Sequence, residues 1–159
     1  MKKKLFVNKS MCTGCRYCEG VCYLVHSSGN QVNPRRGRIV VHQDLANGNF
    51  TPIVCKQCVK PVCVEACQFD AMPIKPVLGI PTIDPEKCTG CMACLEACPF
   101  GAIFFDSEQG VAIMCDLCGG DPKCVKFCRA LHQESYAALA YVTPEEWSKR
   151  KAMLASTRE

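Results

Sequence analysis

Apolar positions fall in short runs along this chain, and long amphipathic stretches are rare. Leu5-Phe6-Val7 and Ile39-Val40-Val41, the latter entered from Arg38, predict short strands, as do residues 80–83 and 102–105. Residues 19–24, 64–67, 95–98 and 125–131 predict short helices. Residues 25–50 read as a loop-rich insertion carrying Asn30, Asn33, Pro34, Gly37 and Gly48. Thr143-Pro144-Glu145-Glu146 is a capping box with proline at the first helical position. It predicts a helix from Pro144 to about Ala155, with Trp147, Lys151 and Leu154 on one face. That face suits either a partner or the chain's own domain.

Elements this short bury little, and the cysteines explain what stands in for a core. Sixteen cysteines occupy the 159 residues as four sets of four. Cys12, Cys15, Cys18, Cys22 and Cys88, Cys91, Cys94, Cys98 both read C-x2-C-x2-C-x3-C. Cys55, Cys58, Cys63, Cys67 read C-x2-C-x4-C-x3-C, and Cys115, Cys118, Cys124, Cys128 read C-x2-C-x5-C-x3-C. Each of four 4Fe–4S cubes offers one thiolate position per iron. Three thiolates in one short loop, with a fourth just beyond, suit that geometry. Each helix follows directly on a cysteine loop.

Two plainer readings compete. Disulfides need an oxidising compartment, but the apolar run after Met1-Lys2-Lys3-Lys4 is three residues long, too short for a secretory leader. Structural zinc uses C-x2-C pairs such as Cys55/Cys58 and Cys115/Cys118, but does not call for a third cysteine inside the same loop. The spacing therefore predicts four 4Fe–4S clusters held by all sixteen cysteines, and cytoplasmic localisation.

Glycine between the first two cysteines, at Gly14 and Gly90, lets backbone approach a cube. Pro99 completes the C-P ending of the bacterial two-cluster pattern, whereas Tyr23, Gln68 and Arg129 hold that place in the other sets. Where a fourth cysteine ligates the other cluster, sets must combine in pairs. Residues 68–87 are all that separates the middle sets, which suggests one compact inner unit and a nested arrangement. Sequential pairing, first set with second and third with fourth, remains the alternative.

Cys12-Thr13-Gly14-Cys15-Arg16-Tyr17-Cys18, Pro52-Ile53-Val54-Cys55-Lys56-Gln57-Cys58, the stretch from Asp84 to Pro99, and Ala112-Ile113-Met114-Cys115-Asp116-Leu117-Cys118 carry a resemblance over residues 3–130. The chain resembles the four-cluster iron–sulfur subunits of molybdenum and tungsten oxidoreductases, formate dehydrogenases, hydrogenases and carbon monoxide dehydrogenases. It looks most like those serving tungsten aldehyde oxidoreductases and benzoyl-CoA reductases. The resemblance implies an α+β fold of nested bacterial-ferredoxin-like units, with residues 80–83 and 102–105 as paired strands beside the clusters, plus a C-terminal helix. It also implies the nested ligand sets. These are Cys12, Cys15, Cys18, Cys128 (cluster a); Cys22, Cys115, Cys118, Cys124 (cluster b); Cys55, Cys58, Cys63, Cys98 (cluster c); and Cys67, Cys88, Cys91, Cys94 (cluster d). The organisation expected is an outer unit (1–24 and 106–132), an inner unit (51–105), the insertion (25–50) and a helical tail (133–159). Gly119-Gly120-Asp121-Pro122-Lys123 departs from the usual last spacer, which implies a potential of its own for the cluster of Cys115.

Function follows as electron relay between a catalytic tungsten or molybdenum subunit and a flavin subunit. Full cysteine ligation leaves no iron open, so no substrate chemistry is expected in this chain. A freely diffusing carrier for carbon monoxide dehydrogenase or hydrogenase is the alternative, and self-association into a longer wire a third idea. The formal charge of +4 does not argue for nucleic acid. Each oxidised cube with four thiolates carries about −2, which takes the loaded chain to about −4. Lys2-Lys3-Lys4 and Arg35-Arg36-Gly37-Arg38 read as counter-charges or partner contacts. There is no dinucleotide or P-loop motif, and no apolar run long enough for a membrane anchor. Tyr17, Tyr23, Phe69 and Phe100 beside cysteines read as water shields. His26, His42 and His132 are not spaced as a metal set and are expected in surface or packing roles.

Overall fold

The computed structural model describes residues 2–27 and 32–156; Asn30 of the insertion and the extreme termini lie outside them. Strand β1 (Lys4–Val7) leads into helix α1 (Tyr17–His26), which begins at Tyr17 within the first cysteine set. The insertion is more ordered than its glycines and asparagines suggest. Strand β2 (Ile39–Asp44) forms a six-pair antiparallel hairpin with β3 (Asn49–Val54), from Ile39 opposite Val54 to Asp44 opposite Asn49. Only the first half of β2 was apparent as an apolar run, because it continues as the polar His42, Gln43 and Asp44, and Thr51 and Pro52 break the pattern in its partner. Strand β3 also runs across the boundary expected at residue 51.

Helix α2 (Val62–Glu65) and the short strand pair β4 (Ile74–Lys75) and β5 (Ile80–Pro81) come next. Helix α3 (Ala93–Ala97) then precedes β6 (Ile103–Asp106) and β7 (Val111–Met114). Residues 80–83 and 102–105 therefore do not pair with each other. Ile80 sits opposite Lys75, and Ile103 opposite Met114. Tight turns at Gly79 and Gly110, with N–H donors to Lys75 and Asp106 carbonyls, make local hairpins the shorter route. Helix α4 (Lys123–Tyr136) is longer than expected, and β8 (Leu139–Val142) returns to pair antiparallel with β1, Leu139 opposite Val7.

Helix α5 (Pro144–Ser156) starts with the capping box as read. Thr143 Oγ1 accepts from the Glu146 N–H at 3.3 Å, and Glu146 Oε2 accepts from the Thr143 N–H at 2.8 Å. The face carrying Trp147 packs inward. Its indole stacks on Phe6 at 5.0 Å and 13°, so this part of the helix is held by its own domain.

Two apolar cores result. The larger gathers Leu5, Val21, Ile39, Val54, Leu117 and Leu139 around Cys18, Cys22, Cys115, Cys124 and Cys128. The smaller gathers Met72, Ile103, Ala112 and Met114 around Cys63 and Cys94. Cys55 packs against both. A buried ion pair spans the join: Asp106, 1% exposed, faces Arg36 of the insertion at 3.3 Å.

Candidate metal centres

The four cysteine loops share one backbone device. The residue two places after the first cysteine is left-handed in every set: Gly14 (φ 72°), Gln57 (φ 48°), Gly90 (φ 71°) and Leu117 (φ 56°). Glycine makes this conformation easy in two loops. Gln57 and Leu117 adopt it against their side-chain preference, a strain of about 1–2 kcal/mol each that the surroundings must impose. Successive N–H groups beside a left-handed residue form a concavity suited to an anionic guest. That shared geometry within one chain is what the sequence hides in the second and fourth sets.

The thiols converge across distant sets. One hollow is walled by Cys12, Cys15, Cys18 and Cys128. A second is walled by Cys55, Cys58, Cys63 and Cys98. A third is walled by Cys67, Cys88, Cys91 and Cys94. The same donor count suits one kind of guest three times. In the fourth group, burial pushes the Cys124 thiol strongly up, reinforced by Cys115, Cys22 and Cys118 beside it.

The groups also lie in order. Cys124 is within electrostatic reach of Cys18, Cys115 of Cys55, and Cys94 of Cys63. Each such pair links one group to the next. Burial, with neighbouring thiols, raises Cys18 and Cys115 to about 12 and Cys55 and Cys94 to about 11. Sixteen thiols so arranged cannot all ionise without a cation among them. A 4Fe–4S cube is tetrahedral in its thiolate demand and positive without its ligands, so the donor set and its number fit.

Backbone N–H groups aim at several sulfurs. Arg38 donates to Cys22 Sγ at 3.2 Å, Gln57 to Cys55 Sγ at 3.4 Å and Ala112 to Cys88 Sγ at 3.4 Å. Three cysteines are exposed, Cys15, Cys58 and Cys91, one in each cavity. Tyr17, Phe100 and Phe69 line those same cavities while staying 56%, 45% and 45% exposed. They border the thiols while remaining open to solvent. Tyr23 lines none of the three.

Two histidines expected in surface or packing roles sit against thiols instead. His132 Nε2 lies 3.4 Å from Cys15 Sγ, and His26 Nδ1 lies 3.7 Å from Cys22 Sγ. Each stands four residues after the last cysteine of its set, one helical turn on, and that spacing was the available signal. His26 Nε2 also meets Asp116 at 3.3 Å, and Arg38 pairs with the same carboxylate at 2.5 Å. Burial opposes charge on His26, but the bonds to Asp116 and Cys22 outweigh it and raise its pKa to about 9. Burial likewise works against the Asp116 carboxylate, yet His26 and Arg38 hold its pKa well below the usual range. His26, Asp116 and Cys118 lie close enough to hold an ion, but the carboxylate is already committed to two cations.

Comparison with known proteins points to the same class of cofactor. Residues 46–136 match the family described as the 4Fe-4S dicluster domain. The chain is 37% identical over 139 residues to the aliphatic sulfonate oxidoreductase polyferredoxin-like subunit of Pyrococcus furiosus, covering 87% of this chain and 77% of that protein. It is 39% identical over 114 residues to a tetrathionate reductase component of Archaeoglobus fulgidus, covering 70% of this chain and 53% of that one. It is 32% identical to the probable anaerobic dimethyl sulfoxide reductase chain YnfG of Escherichia coli, over 87% and 80% of the two chains. Among solved structures, the active site complex BamBC of benzoyl coenzyme A reductase with zinc contains a chain that aligns over 98% of this one. The TM-score is 0.50 at 22% identity, a likeness of fold.

Proposed function

Because the chain belongs to the 4Fe-4S dicluster domain family, we propose that it is the electron-transfer subunit of an oxidoreductase complex, with four 4Fe–4S clusters as its cofactors. The observation that carries the reading is the meeting of each set's fourth cysteine with the first three of another: Cys128 with Cys12, Cys15 and Cys18; Cys98 with Cys55, Cys58 and Cys63; Cys67 with Cys88, Cys91 and Cys94. Cys22 with Cys115, Cys118 and Cys124 completes the nested ligand scheme. When bound, the clusters supply reversible one-electron storage.

The protein's own work is to hold, order and shelter them. Nesting sets the groups in a row from Cys15 at one end to Cys91 at the other, through pairs Cys18/Cys124, Cys115/Cys55 and Cys63/Cys94. Aromatic covers at the exposed thiols limit water while leaving apolar faces for contact with other subunits. All sixteen cysteines are committed as ligands, so substrate chemistry falls to a partner.

The partner favoured is a catalytic tungsten or molybdenum subunit of the aldehyde oxidoreductase kind, with a flavin subunit at the other end of the row. What supports it is the motif resemblance and the relatives' place as subunits of oxidoreductases. The tail helix lends this no support, since its Trp147 packs on Phe6 of the chain's own domain. Among the described residues, no helix is long and apolar enough to cross a membrane.

Anaerobic purification of the tagged protein from its own cell, with metals counted per chain, tests this. About sixteen irons with stoichiometric tungsten or molybdenum is the expected result. Sixteen irons with neither metal would point to the diffusing carrier, and zinc in place of iron would refute the cluster assignment. For the ligand scheme, Cys128→Ser should damage the cluster of Cys12, Cys15 and Cys18; damage to that of Cys88, Cys91 and Cys94 would mean sequential pairing.

A further inference from the structure

The outer unit is built from two like halves. Helices α1 and α4 pack on each other, and each carries a histidine one turn beyond its last cysteine, His26 after Cys22 and His132 after Cys128. One difference between their surroundings is the residue after the first cysteine, Thr13 in the first set and Asp116 in the fourth. Asp116 takes up His26 Nε2 at 3.3 Å. His132 Nε2 meets the Cys15 thiol at 3.4 Å, and His132 itself lines the cavity of Cys12, Cys15, Cys18 and Cys128.

Cys15, Cys58 and Cys91 are the exposed thiols of their groups. Backbone N–H groups reach a sulfur in all three groups, at Cys12, Cys55 and Cys88. What distinguishes the first is a side chain: among the described residues, His132 Nε2 meets Cys15 Sγ and no side-chain nitrogen meets Cys58 or Cys91. A ligated thiolate carries no proton. His132 Nε2 must therefore carry the hydrogen and donate it, whichever charge state the ring adopts. A donor to a cluster sulfur stabilises the more negative, reduced state.

We propose that His132 is a positioning residue that raises the potential at the group of Cys12, Cys15, Cys18 and Cys128 above those at the two other outward groups. Of the three outward groups, the one at the Cys15 end, beside Tyr17, then holds an electron most readily. The inference rests on the cluster reading, though not on the identity of the partner subunits.

The test is an anaerobic potentiometric titration of the whole protein, followed by electron paramagnetic resonance, with iron counted in every sample. Cys15→Ser identifies the spectral component belonging to this group, which is expected to be the first reduced of the three outward groups. His132→Leu should leave iron at the wild-type count and lower the reduced-to-oxidised ratio of that component about tenfold at a fixed potential, the size of one charge-assisted hydrogen bond. His132→Gln, which keeps a donor near the Nε2 position, should restore most of it. An unmoved component at full iron, a shift shared equally by all components, or no recovery with glutamine would overturn the proposal. Loss of iron in His132→Leu would also overturn it, by making the residue structural. Failure of the ligand scheme looks different: the wild-type chain would hold far fewer than sixteen irons, or Cys128→Ser would leave the Cys15 component intact.

Discussion

A methyl group at Gly90 should cost the protein one cluster, and the structure gives the reason. Gly90 has φ +71°, and a Cβ built there would lie 2.3 Å from the Gly110 carbonyl oxygen and 3.5 Å from the Phe105 ring. Ordinary contact begins near 3.4 Å, so the two backbones would have to part by about 1 Å. Gly110 is fixed in the β6–β7 turn by its N–H to the Asp106 carbonyl at 2.8 Å. Two residues on, the Ala112 N–H points at Cys88 Sγ at 3.4 Å. Moving the loop therefore strains Gly90, breaks the donor to Cys88 and opens the wall formed by Ala112. About 1–2 kcal/mol of left-handed strain, about 1 for the lost donor and about 1–3 for overpacking add to about 3–6 kcal/mol, a large share of a small domain's stability. Gly110→Ala is the matched control, because φ is +68° there but nothing lies within 4 Å of the added Cβ. It should show the left-handed strain alone. Iron per chain and the rate of bleaching of cluster absorbance in urea would be measured for both. Gly90→Ala should bind about four fewer irons than wild type, and Gly110→Ala should match wild type in iron while bleaching modestly faster. Equal behaviour of the two variants would refute the steric argument.

Gly14→Ala should also weaken cluster loading, since its Cβ would lie 2.6 Å from the Phe50 ring; because a ring can yield, combining it with Phe50→Ala should recover most of the loss in iron content. Asp106→Ala removes the partner of Arg36 and the acceptor for the Glu108 and Gln109 N–H groups at 3.0 and 3.3 Å, so urea-induced bleaching should accelerate as for a loss of about 3–5 kcal/mol, with Asp106→Asn intermediate. Because His26 is raised from 6.5 to about 9, its contribution to stability is complete below pH 6.5 and disappears as pH rises through about 9. Bleaching rates across that window should rise more in wild type than in His26→Gln. Thiols raised to about 11 and 12 must lose protons to bind iron, so stepwise reconstitution of the iron-free chain should release acid and proceed further as pH increases from 7 to 9, measured by iron bound.

The ligand chemistry was legible in the sequence because cluster ligation depends on local spacing, and spacing is what a sequence records. The cysteine-bearing helices and the capping box at Thr143 were legible for the same reason. What escaped is governed by contacts between distant residues. Residues 80–83 and 102–105 have strand character, but the turns at Gly79 and Gly110 chose their partners. Strand β3 is broken by Thr51 and Pro52 in sequence, yet pairing with Ile39–Asp44 holds it extended. The left-handed Gln57 and Leu117 carry no glycine to announce them. Trp147 was consistent with either a partner or its own domain until Phe6 was found under it.

The two apolar cores depend on each other through the strands that join them. Strand β6 finds its mate in β7, which ends at Met114, immediately before Cys115. The hairpin β2–β3 delivers Val54 directly into Cys55 and, through Val41 and Pro52, also walls the cavity of Cys12, Cys15, Cys18 and Cys128. Asp106 at the end of β6 answers Arg36 across the join. Each passage between halves is thus a strand that ends on a cysteine or lines a thiol cavity. Folding one half positions a ligand or a wall for the other, so the two cores, each too small to be secure alone, are stabilised as one. The same continuity brings Cys55 and Cys115 together at the centre of the row, where a break would divide the relay.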